Sequence, residues 1–488
     1  MNRNLVFAAV FLTGALCAVP ATKERAERSA PLPEIRSTEI PSNQSVSPIR
    51  VFLVPHHLVA EDMIHDMFSQ AAHSTASSLP ARIILVSPNH FSNGVGRAIT
   101  ADRIQGLGQS EILVDTRSIE VLEREGQLSN EPSVLRPEHG IKNLLPFVKE
   151  YFPGIPLLPI VVRDEMSLRE SVSLARALHA LPGESLLILS SDFSHTLDPI
   201  LASFHDEATI AALRTFSVEK FSALDTDCVP GLALLSSYAQ LSGASSFTLR
   251  KNSNSGYILR NDVAGETTSY ITGFFSKASS FESAPEKSPV HFLAVGKTGR
   301  QSLQKEEMLQ RLWWSQEENF FQDNPISSEL RSGYTREGVR FVAEQLTDED
   351  RFDRLMKSIP NDSDIPLVVF LEWGAGDTHF SRREKARALV DRGADLILGE
   401  GTPSPAAPLF ETYRGVPLFF SLNTASDPAL SSPRGVLVVG FSFRGEELRL
   451  FPSLLLGEPG YPIRFAPTSV REAVFERNGI SFAGSLAQ

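Results

Sequence analysis

Nine of the eleven histidines in this 488-residue chain precede Asp206, so imidazole chemistry is concentrated in its first half. Three apolar runs suited to buried strands each end on a histidine. His56 and His57 follow Ile49–Val54, His90 follows Arg82–Val86 in Pro88-Asn89-His90, and His195 follows Ser185–Leu189 in Asp192-Phe193-Ser194-His195. In open α/β sheets, ligands bind beyond the carboxyl ends of the strands. Packing does not require three strands to deliver an imidazole to that edge, and the convergence reads as a shared metal or acid/base site. Glu138-His139 precedes an apolar stretch, Ile141–Phe152. Glu138 is there either as a carboxylate favoured at a helix N-terminus, or because both side chains enter the same cleft. Cys228 stands just before a helix expected over Leu232–Leu241, which would favour its thiolate. The competing reading is a small buried apolar group. His65, His73, His179 and His205 fall on helical stretches without supporting pattern and read as structural.

The elements that must position these residues form an α/β alternation. Ile49–Val54, Arg82–Val86, Ile155–Val162 and Ser185–Leu189 are expected as strands, with helices over Asp62–Ala76 and Ser167–Leu181. That order argues a mainly parallel sheet covered on both faces, closed by two further strands at Phe247–Arg250 and Thr267–Phe275. A second α/β pattern opens at His291–Val295. A charged, helical middle is expected from Leu303 to Lys357. Strands at Ile365–Leu371, Asp395–Leu398 and Val416–Ser421, a helix at Arg382–Arg392, and a terminal antiparallel pair, Gly435–Phe441 with Leu448–Leu456, complete it. The expected organisation is a signal peptide over 1–21, a flexible tether over 22–47, a first domain over 48–276, a linker over 277–289 and a second domain over 290–488.

Composition narrows the class. The hydrophobic share is 42 % and the charged share 21 %, which excludes a mostly disordered chain. Forty-six Lys+Arg against 58 Asp+Glu leave a net charge of −12, and no basic run compensates locally, so nucleic acid is not an expected partner. Two cysteines, Cys17 and Cys228, build no disulfide framework. Leu5–Val19 is apolar but short for a membrane span. With Arg3 before it and small residues around Ala21, it fits an export signal. The expected location is therefore periplasmic or extracellular, with membrane contact only through an uncleaved N-terminus.

Five motifs in order carry a family resemblance: Pro55-His56, Ser87-Pro88-Asn89-His90, Glu138-His139-Gly140-Ile141 with Leu145-Pro146-Phe147, Ser190-Ser191-Asp192-Phe193-Ser194-His195, and Cys228. Across about Ile49 to Phe275 the chain resembles the MEMO-like family, known in bacteria and archaea as AmmeMemoRadiSam system protein B. The resemblance implies a fold like that of the class III extradiol dioxygenases. It also implies one metal ion, iron or copper, held by His56, His90 and Cys228, with Glu138, His139, Asp192 and His195 as catalytic neighbours. Imidazole and thiolate together suit iron, copper or zinc and not magnesium or calcium. The chain departs from the family at the first motif, where His57-Leu58-Val59 replaces the usual Ala-Gly-Tyr, and at Lys142, where a Glu is common.

The second half resembles the CapA family of capsule and poly-γ-glutamate synthesis, on Phe370–Gly374, Gly393–Gly399 and Gly415–Asn423. The implied fold is metallophosphatase-like. Its metal positions are replaced by Gly296-Lys297, Glu372-Trp373-Gly374 and Glu400-Gly401-Thr402-Pro403, so a binding role is expected in place of catalysis. The favoured function is metal-dependent redox or oxygen chemistry on a small molecule or peptide, with His195 as acid/base oriented by Asp192. The competing class is a non-enzymatic, metal- or ligand-binding envelope protein that recognises peptides or polymer. A hydrolase using metal-activated water is the third.

Overall fold

The computed structural model describes residues 48–104, 112–260, 266–277, 289–296, 312, 320–322, 334–359, 365–374, 376–401, 408–422, 434–445, 447–457, 464–477 and 480. The expected signal peptide and tether, most of the linker, Lys297, Thr402 and Pro403 lie outside the described residues. Among the described residues, no helix is long and apolar enough to cross a membrane.

The first half is built on nine strands: β1 (Val51–Val54), β2 (Arg82–Pro88), β3 (Ala98–Thr100), β4 (Ser129–Asn130), β5 (Leu157–Val162), β6 (Ser185–Ser190), β7 (His195–Leu197), β8 (Ser246–Asn254) and β9 (Thr267–Ser276). They form one sheet in the order β4-β3-β5-β2-β6-β1-β9-β7, with β8 also on β9. The centre, β5-β2-β6-β1, is parallel, and β9 closes on β1 in the antiparallel sense. Every residue of these four central strands is buried, as continuous Val/Ile/Leu runs require when helices cover both faces.

Among the described residues, nine α-helices accompany the sheet: α1 (Glu61–Thr75), α2 (Thr116–Arg124), α3 (Pro132–Leu135), α4 (His139–Lys142), α5 (Leu145–Tyr151), α6 (Leu168–His179), α7 (Pro199–Thr215), α8 (Val229–Leu241) and α9 (Ser255–Leu259). On one face, Leu174 and Leu178 of α6 and Leu232 and Leu235 of α8 pack on Val51, Leu53 and Leu187. On the other, Ile64 and Phe68 of α1 and Phe147 of α5 pack on Phe52, Ile83 and Leu85. A Ser167–Glu170 capping box fixes the start of α6.

The second half holds β10 (Val290–Val295), β11 (Phe320–Gln322), β12 (Tyr334–Arg336), β13 (Val339–Leu346), β14 (Leu367–Trp373), β15 (Leu396–Glu400), β16 (Phe410–Tyr413), β17 (Val416–Phe419), β18 (Arg434–Arg444), β19 (Glu447–Gly457) and β20 (Arg464–Phe465). They make two sheets, β11-β10-β18-β19-β20 and β12-β13-β14-β15-β17-β16. The helices are α10 (Glu349–Ser358), α11 (His379–Asp391) and α12 (Thr468–Arg477). Phe292, Leu437 and Phe441 of the first sheet meet Phe341, Phe370 and Leu398 of the second. The helical reading of Leu303–Lys357 is corrected here: among its described residues, Leu312 is helical, but the strands β11, β12 and β13 follow it before α10 begins. Val339, Phe341 and Val342 are β-branched or aromatic and buried, Val339 paired with β12 and Phe341 and Val342 with β14 in parallel register. The surrounding charge had suggested a helix.

The described residues fall within one compact unit, and α7 is the joint within it. Leu197, Leu201 and Phe204 share a buried cluster with Leu293, Val295, Val438 and Leu455. Glu207 accepts from Ser442 Oγ at 2.7 Å and Arg449 Nη1 at 2.9 Å, and lies 3.3 Å from His291 Nε2. Asp198, the N-cap of α7, pairs with Arg471 of α12.

Candidate metal centre

β1, β2 and β6 run parallel and stop at the same edge, which brings His56, His90 and Asp192 together from distant parts of the chain. His56 is buried, and its Nδ1 lies 3.1 Å from Ser190 Oγ. The Ser190 hydroxyl donates its one proton to the Gly140 carbonyl at 2.7 Å, so it accepts from His56 Nδ1–H. His56 Nε2 is left 3.5 Å from Asp192 Oδ2 and 3.4 Å from Asp227 Oδ2. Burial pushes the His56 pKa down to about 4, against the pull of Asp227. At neutral pH an unprotonated ring nitrogen therefore faces carboxylate oxygens.

His90 is held the same way. Its Nδ1 lies 2.6 Å from Glu138 Oε1 and its backbone N–H donates to Oε2 at 3.1 Å, which turns Nε2 toward Asp227 Oδ2 at 3.4 Å. Burial disfavours its charge, but hydrogen bonds to Asp227 and Glu138 outweigh that and raise its pKa to about 9. Glu138 is fully buried and also caps α4, accepting from Gly140 N–H at 3.0 Å. Both roles expected of it coexist. His139, the first residue of α4, lies with its ring centroid 3.9 Å from that of His90 and 5.1 Å from that of His56, and its side chain is 44 % exposed. It stands where solvent reaches the cluster, beside the exposed ring of Phe91.

Two groups of donor atoms lie within 4.8 Å of one another: His56, His90 and His139, and His56, Asp192 and Asp227. Asp192 accepts from the His56 backbone N–H at 3.1 Å, and burial beside Asp227 raises its carboxyl well above the usual range. His195 sits on β7 opposite Thr268, near enough to Asp227 and His57 to act on both electrostatically. Cys228 is fully buried in the core cluster under α8, outside both groups. Burial and the neighbouring Asp227 raise its thiol well above the ordinary value.

Asp227 was not singled out in the sequence. It takes hydrogen bonds from Ser191 Oγ at 2.9 Å and the Asp192 backbone N–H at 3.1 Å, and its position immediately before Cys228 was the available signal. Tyr270 was also missed. From β9 its hydroxyl reaches His57 Nδ1 at 2.7 Å. Imidazole nitrogens mixed with carboxylates fit a transition ion and not a magnesium or calcium cage.

Residues 23–229 match the family model of the Memo-like proteins. The chain is 23 % identical over 198 residues to a MEMO1 family protein of Caldivirga maquilingensis, covering 39 % of this chain and 68 % of that one. It is 25 % identical over 207 residues to a MEMO1 family protein of Nitrosopumilus maritimus, covering 40 % and 73 %. With MEMO1 family protein Ta0237 of Thermoplasma acidophilum it shares 26 % identity over 254 residues, covering 50 % and 91 %.

Proposed function

We propose, from the Memo-like match of residues 23–229 and the imidazole–carboxylate cluster, that the chain holds one transition-metal ion and uses it in redox or oxygen chemistry on a small substrate. The observation that carries this reading is His56 Nε2. Its proton is committed at Nδ1, and its bare nitrogen faces Asp192 and Asp227 at 3.5 and 3.4 Å, an arrangement that a cation between them relieves. His56 and His90 are the imidazole ligands. Asp227 is the anionic ligand the geometry favours, with Cys228 the one the family resemblance implies. Iron and copper suit this donor set, and zinc fits it as well.

The bound ion would supply Lewis acidity and electron transfer, and the chain would supply the rest. Glu138 and Ser190 hold the two rings with Nε2 inward. His139, half exposed beside Phe91, meets the substrate and exchanges a proton with it. His195 is the second acid/base group. For residues 290–488 the CapA-like resemblance is carried as a non-catalytic binding role, with Glu372 and Glu400 side by side in the β14–β15 register. Manganese-stimulated phosphomonoester hydrolysis by the full chain, lost in Glu400→Ala, would count against that role. Export through residues 1–21 belongs to the same reading and is tested by the N-terminus of the protein recovered from its host.

The deciding experiment is metal analysis of untagged full-length protein with spectra before and after O₂. About one ion per chain is expected, lost in the His56→Ala/His90→Ala pair, with the helical signal kept. Asp227→Asn should lose the ion and Cys228→Ser keep it. The opposite pattern transfers the anionic position to Cys228. Full occupancy in the double histidine variant refutes the site. Metal bound without turnover of O₂ or any redox acceptor favours the binding-protein reading.

A further inference from the structure

Two of the strands that carry the metal site at their carboxyl ends, β1 and β6, border a cavity at their amino ends. It has a volume of about 380 Å³, within the range of small-molecule sites. Arg50 and Val51 line it from the start of β1, Ser185 from the start of β6, Phe275 from the end of β9, and His179 and Tyr238 from α6 and α8. Because β1 and β6 are parallel, this cavity lies at the opposite end of the sheet from His56 and Asp192.

Arg50 is its chemical centre. Nη2 donates to the Ser78 carbonyl at 2.7 Å, Ser78 Oγ at 2.8 Å and Glu184 Oε2 at 2.7 Å. Nε and Nη1 are buried and have no acceptor among the described residues. Leaving a buried donor unmet costs about 1–3 kcal/mol, more when it is charged, so these two N–H groups call for an acceptor that the described residues do not supply. Lys277 adds a second, exposed cation at the cavity, whereas its one acid, Glu184, is 72 % exposed and already engaged by Nη2. On a chain of net charge −12, that is a local reversal of sign. The rings of His179 and Tyr238, 5.7 Å apart and edge-to-face, form a wall beside Val51 and Phe275.

We propose that this cavity binds a small aromatic oxyanion, a carboxylate or phosphate, with Arg50 meeting the anionic head and the His179–Tyr238 wall and Phe275 meeting the ring. The guanidinium suits both head groups, and the edge-to-face wall suits a planar body. The proposal does not depend on the metal reading.

Isothermal titration of the full chain with benzoate, phenyl phosphate and inorganic phosphate tests it. At least one aromatic probe should bind, about tenfold more tightly than inorganic phosphate, and Arg50→Gln should weaken that binding at least tenfold. Ala244→Phe, which fills the cavity while leaving every Arg50 hydrogen bond in place, should abolish it. His90→Ala should leave it unchanged. Silence from all three probes at millimolar concentration overturns the proposal. So does undiminished binding in Ala244→Phe. Loss of binding in His90→Ala moves the ligand to the metal site and overturns it too, and a preference for inorganic phosphate overturns the aromatic body.

Discussion

Glu138 does two jobs with one carboxylate, and substitution separates them. Gln at this position still reaches the Gly140 N–H that Glu138 caps at 3.0 Å, but it offers His90 Nδ1 a neutral acceptor in place of an anion. Partners of this kind orient a ligand ring and raise its basicity, and losing one typically costs 10–100-fold in metal affinity. Glu138→Gln should therefore bind zinc about 10–100-fold more weakly in competition with a chromophoric chelator, with an unchanged circular dichroism spectrum. Unchanged affinity would reduce Glu138 to a helix cap.

At the scale of elements, α4 and α7 are placed by single contacts that the structure makes conspicuous. Gly140 packs so closely on β2 that an added Cβ would lie 2.2 Å from Ser87 Oγ. Gly140→Ala should cost about 1–3 kcal/mol in urea unfolding and displace Glu138 and His139 together. Asp198 caps α7, accepting from the Ile200 and Leu201 N–H groups, and is paired with Arg471. Both side chains are buried, at 1 % and 6 % exposure. Removing one partner strands the other charge, at about 3–5 kcal/mol. Arg471→Leu should lower the urea midpoint accordingly, and Asp198→Asn/Arg471→Leu should recover much of the loss. A loss of only a few tenths of a kcal/mol in the single variant would show that the pair is not what fixes α7.

The whole molecule depends on the two halves being joined at α7. Cutting the chain after residue 276 uncovers Leu197, Leu201 and Phe204, each at most 1 % exposed, and each large apolar side chain is worth about 1.5–3 kcal/mol buried. The fragment 48–276 should bind a hydrophobic dye or aggregate where the full chain does not, and monomeric, dye-silent fragment would refute the joint. Glu207 gives this joint a pH signature. Burial opposes its charge, but the hydrogen bond and charge of His291, with Ser442 and Arg449, hold its pKa down at about 2. Its stabilisation, roughly 3 kcal/mol, is fully present above the ordinary carboxyl range near 4.5 and is lost as pH falls toward 2. Glu207→Gln should flatten the acid limb of a melting-temperature profile between those limits, and an unaltered limb would count against it.

The parallel centre of the first sheet was legible in the sequence because four buried strands must be continuous apolar runs, and Ile49–Val54, Arg82–Val86, Ile155–Val162 and Ser185–Leu189 have that form. The strand-end histidines were legible for the same reason: a local run fixes where a strand stops, and His56 and His90 follow directly. Asp227 was not, since nothing local marks a carboxylate that meets two imidazoles from strands more than a hundred residues away. The strand Val339–Leu346 was hidden by the charges around it, and only pairing with Leu367–Trp373 decides it. The joint at α7 was equally unreadable, because Glu207 and Asp198 look like ordinary helical acids until His291, Arg449 and Arg471 are brought against them. Local pattern determined elements and their ends; which charges face each other across elements was decided only by tertiary packing, because burial makes a pair's energy depend on its partner's position in space and not in sequence.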